Sequence, residues 1–137
     1  MATAPKSRPK PEAQPAASRA AARRRLVAAL LVATLSLIWL VIAVRFYVVP
    51  APGSIPAYVW GILAAVSALN AVGHGFAAWK VHRESRWGHV FAIMLVSVNL
   101  VFTITNQMGL ADWIMFGLNV VALVLLIWTG PTRRPEA

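Results

Sequence analysis

Four long apolar runs, separated by short polar or proline-rich breaks, organise this chain. The first is Leu26 to Val44, nineteen residues without a charge. As a helix it would span roughly 28 Å, close to one hydrocarbon thickness. Residues Pro50 to Pro56 (PAPGSIP) hold three prolines and a glycine and read as a loop. Ala57 to Trp79 is a second uncharged run, Lys80 to Arg86 (KVHRESR) a short charged connection, and Trp87 to Met108 a third run whose last residues, Thr105-Asn106-Gln107, are already polar. Gly109 marks a turn. Asp112 is expected to cap a fourth run that reaches Trp128, and Thr129-Gly130-Pro131 stops it, because glycine accepts the left-handed cap and proline cannot continue a helix.

The pattern predicts an all-α, up-down bundle of four transmembrane helices, with spans near 26–47, 57–79, 87–107 and 111–129. Residues 1–25 are rich in proline, alanine and arginine, with little to bury, and are expected to form a disordered tail; 130–137 is a short second tail. A secretory signal peptide is the rival reading of the first run. Its apolar region would be about 7–15 residues, shorter than this one.

Composition agrees with lipid as the solvent. Apolar residues make up 59% of the 137 and charged residues 12%, where a soluble domain has about a quarter charged. The chain has no cysteine, which excludes disulfides, thiolate metal sites and cysteine nucleophiles.

The formal charge of +9 changes the picture through its placement. Seven basic residues precede Leu26 (Lys6, Arg8, Lys10, Arg19, Arg23, Arg24 and Arg25), three lie between spans two and three (Lys80, Arg83 and Arg86), and Arg133 and Arg134 follow span four. With four spans these segments share one side, and Arg45 alone falls on the other. Positive charge stays cytoplasmic, so both ends are expected inside, in the inner membrane of a bacterial cell. No basic stripe is interleaved with exposed aromatics, and nucleic acid is not an expected partner. The tryptophans fit the same arrangement: Trp60 and Trp113 fall at the outer border, Trp79, Trp87 and Trp128 at the inner one, and only Trp39 within a span.

Polar residues at membrane depth are the candidates for function. Ser67, Asn70 and His74 share one face of the second span, and Asn99, Thr103 and Asn106 one face of the third. Asn119 lies on the fourth. By residue count Asn70, Asn99 and Asn119 lie within roughly 6 Å of the midplane. Together with His74 and Thr103 they form an expected polar layer, read first as hydrogen-bonded glue between helices and second as a polar path or ligand site. Ala64, Ala68, Ala71 and Gly75 form small-xxx-small steps expected to pack closely. Arg45 and Asp112, both near the outer border, are a possible ion pair clamping the first and fourth helices. His74 and His89 are the haem or metal candidates, but no carboxylate lies at depth to complete a metal site, and no cofactor is expected. Catalysis has little to rest on, since Glu84 and Asp112 are at span edges and Glu12 and Glu136 in the tails.

Two known families share part of the pattern. Small multidrug antiporters depend on a glutamate in the first membrane helix, and Leu26–Val44 has none. Asn70-Ala71-Val72-Gly73 is similar to the Asn-x-x-Gly element of fluoride channels, whose third-helix phenylalanine- and threonine-rich motif is missing. Trp60-Gly61, the connector ending Arg86-Trp87-Gly88, and Leu118-Asn119-Val120-Val121 resemble small four-helix bacterial membrane proteins without an assigned activity, over roughly residues 57–128. That resemblance implies a multi-pass bundle and no reaction. The expected role is a non-enzymatic structural or accessory subunit, with the lipid bilayer, another membrane protein or a second copy of the chain as partners. A small transporter or channel is the alternative, and a haem-bearing redox subunit the third.

Overall fold

The computed structural model describes residues 16–105 and 109–130, which form four helices: α1 (Ala16–Val48), α2 (Ala57–His82), α3 (Arg86–Thr105) and α4 (Leu110–Thr129). All four are long and apolar enough to cross a membrane. The fold is the expected all-α up-down bundle. Each helix packs on its chain neighbour, α4 closes back onto α1, and the α1–α2 pair is the most intimate.

The inside-out distribution of polarity is what a lipid solvent produces. Large aliphatic side chains such as Leu69 (73% exposed) and Val72 (70%) face outward, while His74 and Asn119 are fully buried. In water such an outer surface would be an unusually extensive apolar patch. In lipid it is the ordinary helix exterior, and polar side chains turn inward to find partners.

Element limits follow from local chemistry. α1 begins at Ala16, so the Arg19–Arg25 stretch assigned to a tail is helical. Alanine and arginine are among the strongest helix formers, and that preference extends the helix beyond the apolar span. Its 33 residues correspond to about 50 Å, well beyond the hydrocarbon, so the arginine-bearing turns project past it. Residues 1–15, 106–108 (with Asn106 and Gln107) and 131–137 lie outside the described residues. α1 stops ahead of Pro50, since the residue before a proline is pushed out of the helical region. Across the loop, the Trp60 indole donates to the Val49 carbonyl (2.9 Å) and its ring meets Phe46 edge-on at 4.6 Å. That pins the α1–α2 turn.

The α2–α3 connection is tighter than the sequence suggests. α2 continues to His82 and α3 starts at Arg86. Ser85 N–H donates to Lys80 O (3.0 Å) and Glu84 N–H to Val81 O (3.1 Å), the paired bonds of a Schellman C-cap, with Glu84 at φ 58° where glycine is usual. Ser85 then caps α3, its hydroxyl accepting the Gly88 N–H at 3.3 Å.

α4 starts differently from expectation. Gly109 is the N-cap, and Asp112, at the third helical position, reaches back so that its carboxylate accepts the Gly109 N–H (2.9 Å). Asp112 thus supplies the return half of a capping box rather than the cap itself. At the far end Gly130 takes φ 53°, a positive value as expected for the stop.

Small residues set the α1–α2 contact. Ser36 Oγ donates to the Ala71 carbonyl (2.7 Å), and a Cβ added at Gly75 would lie 3.2 Å from the same Oγ. Of the expected small-residue steps, Ala71 and Gly75 lie on this contact, whereas Ala68 is exposed on the outer surface. The inward face of α2 runs instead through Ser67, Ala71, His74, Ala77, Ala78 and Val81.

Candidate functional site

The bundle interior holds one connected polar cluster, built where α2 and α3 face each other. Asn99 Nδ2 donates to Asn70 Oδ1 (3.0 Å) and to the Leu95 carbonyl (3.1 Å), and faces His74 Nε2 at 3.5 Å. His74 Nδ1 lies 2.8 Å from the Asn70 carbonyl. A carbonyl only accepts, so Nδ1 carries the hydrogen and Nε2 meets the Asn99 amide as an acceptor. Asn70 Nδ2 donates to Val66 O (3.1 Å), and Thr103 Oγ1 to Asn99 O (2.8 Å). Three of the five expected polar-layer residues, Asn70, His74 and Asn99, are therefore linked side chain to side chain across α2 and α3, and Gly73, at the same crossing, approaches Leu95 closely enough that a Cβ there would sit 3.2 Å from its side chain.

Like Thr103, Asn119 makes no bond to another helix among the described residues. It is fully buried, but its Nδ2 donates to the Met115 carbonyl of its own helix (2.8 Å), and its Oδ1 has no partner. Residue counting places it at the depth of the others, yet being on α4 it bonds within its own turn rather than across the bundle.

His89 is not part of the cluster. Its Nε2 donates to the Leu126 carbonyl (2.6 Å), tying α3 to α4. His74 Nδ1 and His89 Nε2 are thus bonded to helix carbonyls, and His74 Nε2 faces the Asn99 amide, so a bis-histidine haem would have to displace these contacts. No group of three metal-ligating side chains occurs among the described residues.

The expected Arg45–Asp112 pair does not form. The Asp112 carboxylate is taken by the Gly109 N–H at the start of α4, and the ion pair among the described residues is Arg25–Glu84, joining α1 to the α2–α3 turn. Periodicity had no means of finding that contact, because it depends on α1 extending as a helix through Arg25.

At the same end Arg24 stacks over Trp128 (5.3 Å to the ring centroid), and Lys80 and Arg83 both lie over Trp79 (4.9 Å each). Among the described residues the cationic side chains other than Arg45 gather on this end of the bundle, because the up-down order brings together the start of α1 and the α2–α3 turn. Two interior residues escaped sequence reasoning: Ser36, whose hydroxyl bridges α1 to α2, and Leu126, whose carbonyl receives His89. A lone serine in an aliphatic run was the available signal for the first, and a backbone acceptor leaves none.

No family model, curated protein or solved structure matches this chain. The fold and its interior define the class: a four-helix bundle of membrane-span length with an amide–imidazole cluster inside it.

Proposed function

We propose that this chain is a small, non-enzymatic membrane protein with a structural or accessory role, its N- and C-terminal segments on the cytoplasmic side of a bacterial inner membrane. The observation that carries the role is the satisfaction of the polar cluster. Asn99 of α3 bridges to Asn70 and His74 of α2, as residues that fix helix packing do, while Asn70, His74 and Thr103 spend their own donors on carbonyls one turn back in their own helices. Affinity capture of the full chain in mild detergent tests the role: a stoichiometric membrane-protein partner supports it, and a chain recovered alone argues against it. For orientation, the natural lack of cysteine allows single reporters. Ser54→Cys should react with an impermeant thiol reagent on intact cells, and His82→Cys only after permeabilisation.

A second reading, a small transporter or channel, draws on one observation: the buried Asn119 Oδ1 is free to receive a donor from a passing solute. Solute flux in liposomes that disappears in Asn119→Leu would favour it.

A further inference from the structure

We propose that the inner end of the α2–α3 hairpin is a binding site for an anionic phospholipid, with Lys80 and Arg83 holding the phosphodiester and Trp79, Phe76 and Phe91 flanking the glycerol and upper acyl chain. The proposal rests on the membrane reading above.

Four observations converge there. First, two cations share one ring: Lys80 Nζ and Arg83 Cζ each lie 4.9 Å from the Trp79 centroid, and Lys80 is also 5.3 Å from Phe76. They are therefore held within about 10 Å of each other, one Debye length at ordinary salt. Second, neither has a carboxylate partner among the described residues. Glu84, the nearby acid, is bonded to Arg25, and Asp112 stands at the opposite end of the bundle. Third, Phe76, Trp79 and Phe91 are each roughly half exposed and packed together, with Phe76 5.9 Å from Trp79 and 6.1 Å from Phe91. They form an aromatic strip across the α2–α3 groove on the lipid-facing surface, immediately below the cations. Fourth, the lysine stem is fixed: Gly88 of α3 lies so close to Lys80 that there is no room for a side chain on it.

The arrangement matches an amphiphile part by part. Indole prefers the headgroup level, so the cations over Trp79 stand at the depth of lipid phosphates. The rings beneath offer apolar surface to the chain that hangs from the same molecule. The two cations repel each other, and a phosphodiester beside them relieves that repulsion, which zwitterionic lipid does less well because its own ammonium competes. Cations also complement the C-terminal dipole of α2, but that role would be met by any charge in the last turn and asks for no aromatic strip.

The test is native mass spectrometry of the full chain released from detergent micelles holding equal amounts of phosphatidylglycerol and phosphatidylcholine. Wild type should retain phosphatidylglycerol preferentially. Lys80→Gln/Arg83→Gln should lose that preference, by about fivefold per cation removed. Arg19→Gln/Arg23→Gln, which takes the same charge from the same end, should keep it. Equal retention of the two lipids by wild type overturns the proposal without reference to any variant. So does an equal loss in the Arg19/Arg23 control, which would mean diffuse attraction. A third arm adds soluble glycerol phosphate: if it raises the melting midpoint as much as phosphatidylglycerol does, the groove takes phosphate without lipid and the proposal fails. Recovery of the untagged chain in buffer without detergent would instead sink the membrane reading itself.

Discussion

Gly88 of α3 packs directly against Lys80 of α2: a Cβ built on Gly88 would stand 2.1 Å from the Lys80 Cβ and 3.2 Å from the Lys80 carbonyl carbon. No rotamer change relieves a clash between two Cβ atoms, so Gly88→Ala must pry α3 away from α2. The expected cost is roughly 1–3 kcal/mol, the usual range for overpacking. Gly53→Ala, where nothing lies within 4 Å, serves as the control and should be neutral. Reversible unfolding in mixed detergent micelles reads both.

Glu84 occupies the left-handed position of the α2 C-cap, which costs a non-glycine residue roughly 1–2 kcal/mol. Its compensation is the ion pair with Arg25, but the Glu84 side chain is 60% exposed, and such pairs contribute about 0–1 kcal/mol and weaken with salt. Glu84→Gly is therefore expected to be nearly neutral at low salt and more stable than wild type, by up to about 1 kcal/mol, at high salt. A variant that is less stable than wild type at both ionic strengths would show that Arg25–Glu84 does more than exposed pairs do.

The Asp112 carboxylate serves the backbone of its own helix rather than Arg45. Asp112→Ala should cost about 0.5–1 kcal/mol through loss of the Gly109 bond, and Arg45→Ala almost nothing. The double variant should then show no coupling between the two sites. Restored stability in the charge-reversed pair Arg45→Asp/Asp112→Arg would contradict the capping role.

The four spans were legible because hydrophobic runs of membrane length and their proline and glycine breaks are properties of consecutive residues. The same holds for Asn70, His74 and Asn99, whose helical spacing places them on facing sides of α2 and α3. What was not legible depends on contacts between elements. Arg45 and Asp112 share a depth, which suggested a pair, but depth does not fix which way a side chain turns, and the Asp112 carboxylate turns to the Gly109 N–H of its own helix. Ala68 fits the small-residue spacing of Ala71 and Gly75 yet faces outward, since a run of small residues three and four apart spreads over more of the helix than one contact covers. Arg19–Arg25 looked unstructured because it lacks large apolar side chains to bury, whereas helix propensity needs none once Leu26 onward supplies the nucleus.

Asn99 and Asn119 are both buried amides, and the structure predicts opposite outcomes for replacing them. Asn99→Leu removes the donor that Asn70 Oδ1 and His74 Nε2 share, leaving two acceptors inside the bundle without it. Interhelical bonds of this kind average about 0.6 kcal/mol and reach about 1.7, so a loss toward the upper figure is expected. Asn119→Leu gives up one bond to Met115 within the same helix turn and removes an Oδ1 that has no partner. Burying an unpaired acceptor is unfavourable, so this variant should be neutral or more stable by up to roughly 1 kcal/mol. Unfolding of the two variants side by side, in the same micelles, checks the contrast. If Asn119→Leu proves as damaging as Asn99→Leu, then Asn119 Oδ1 has a donor in the folded protein, and a bound water or solute between α4 and its neighbours is the first place to look for it.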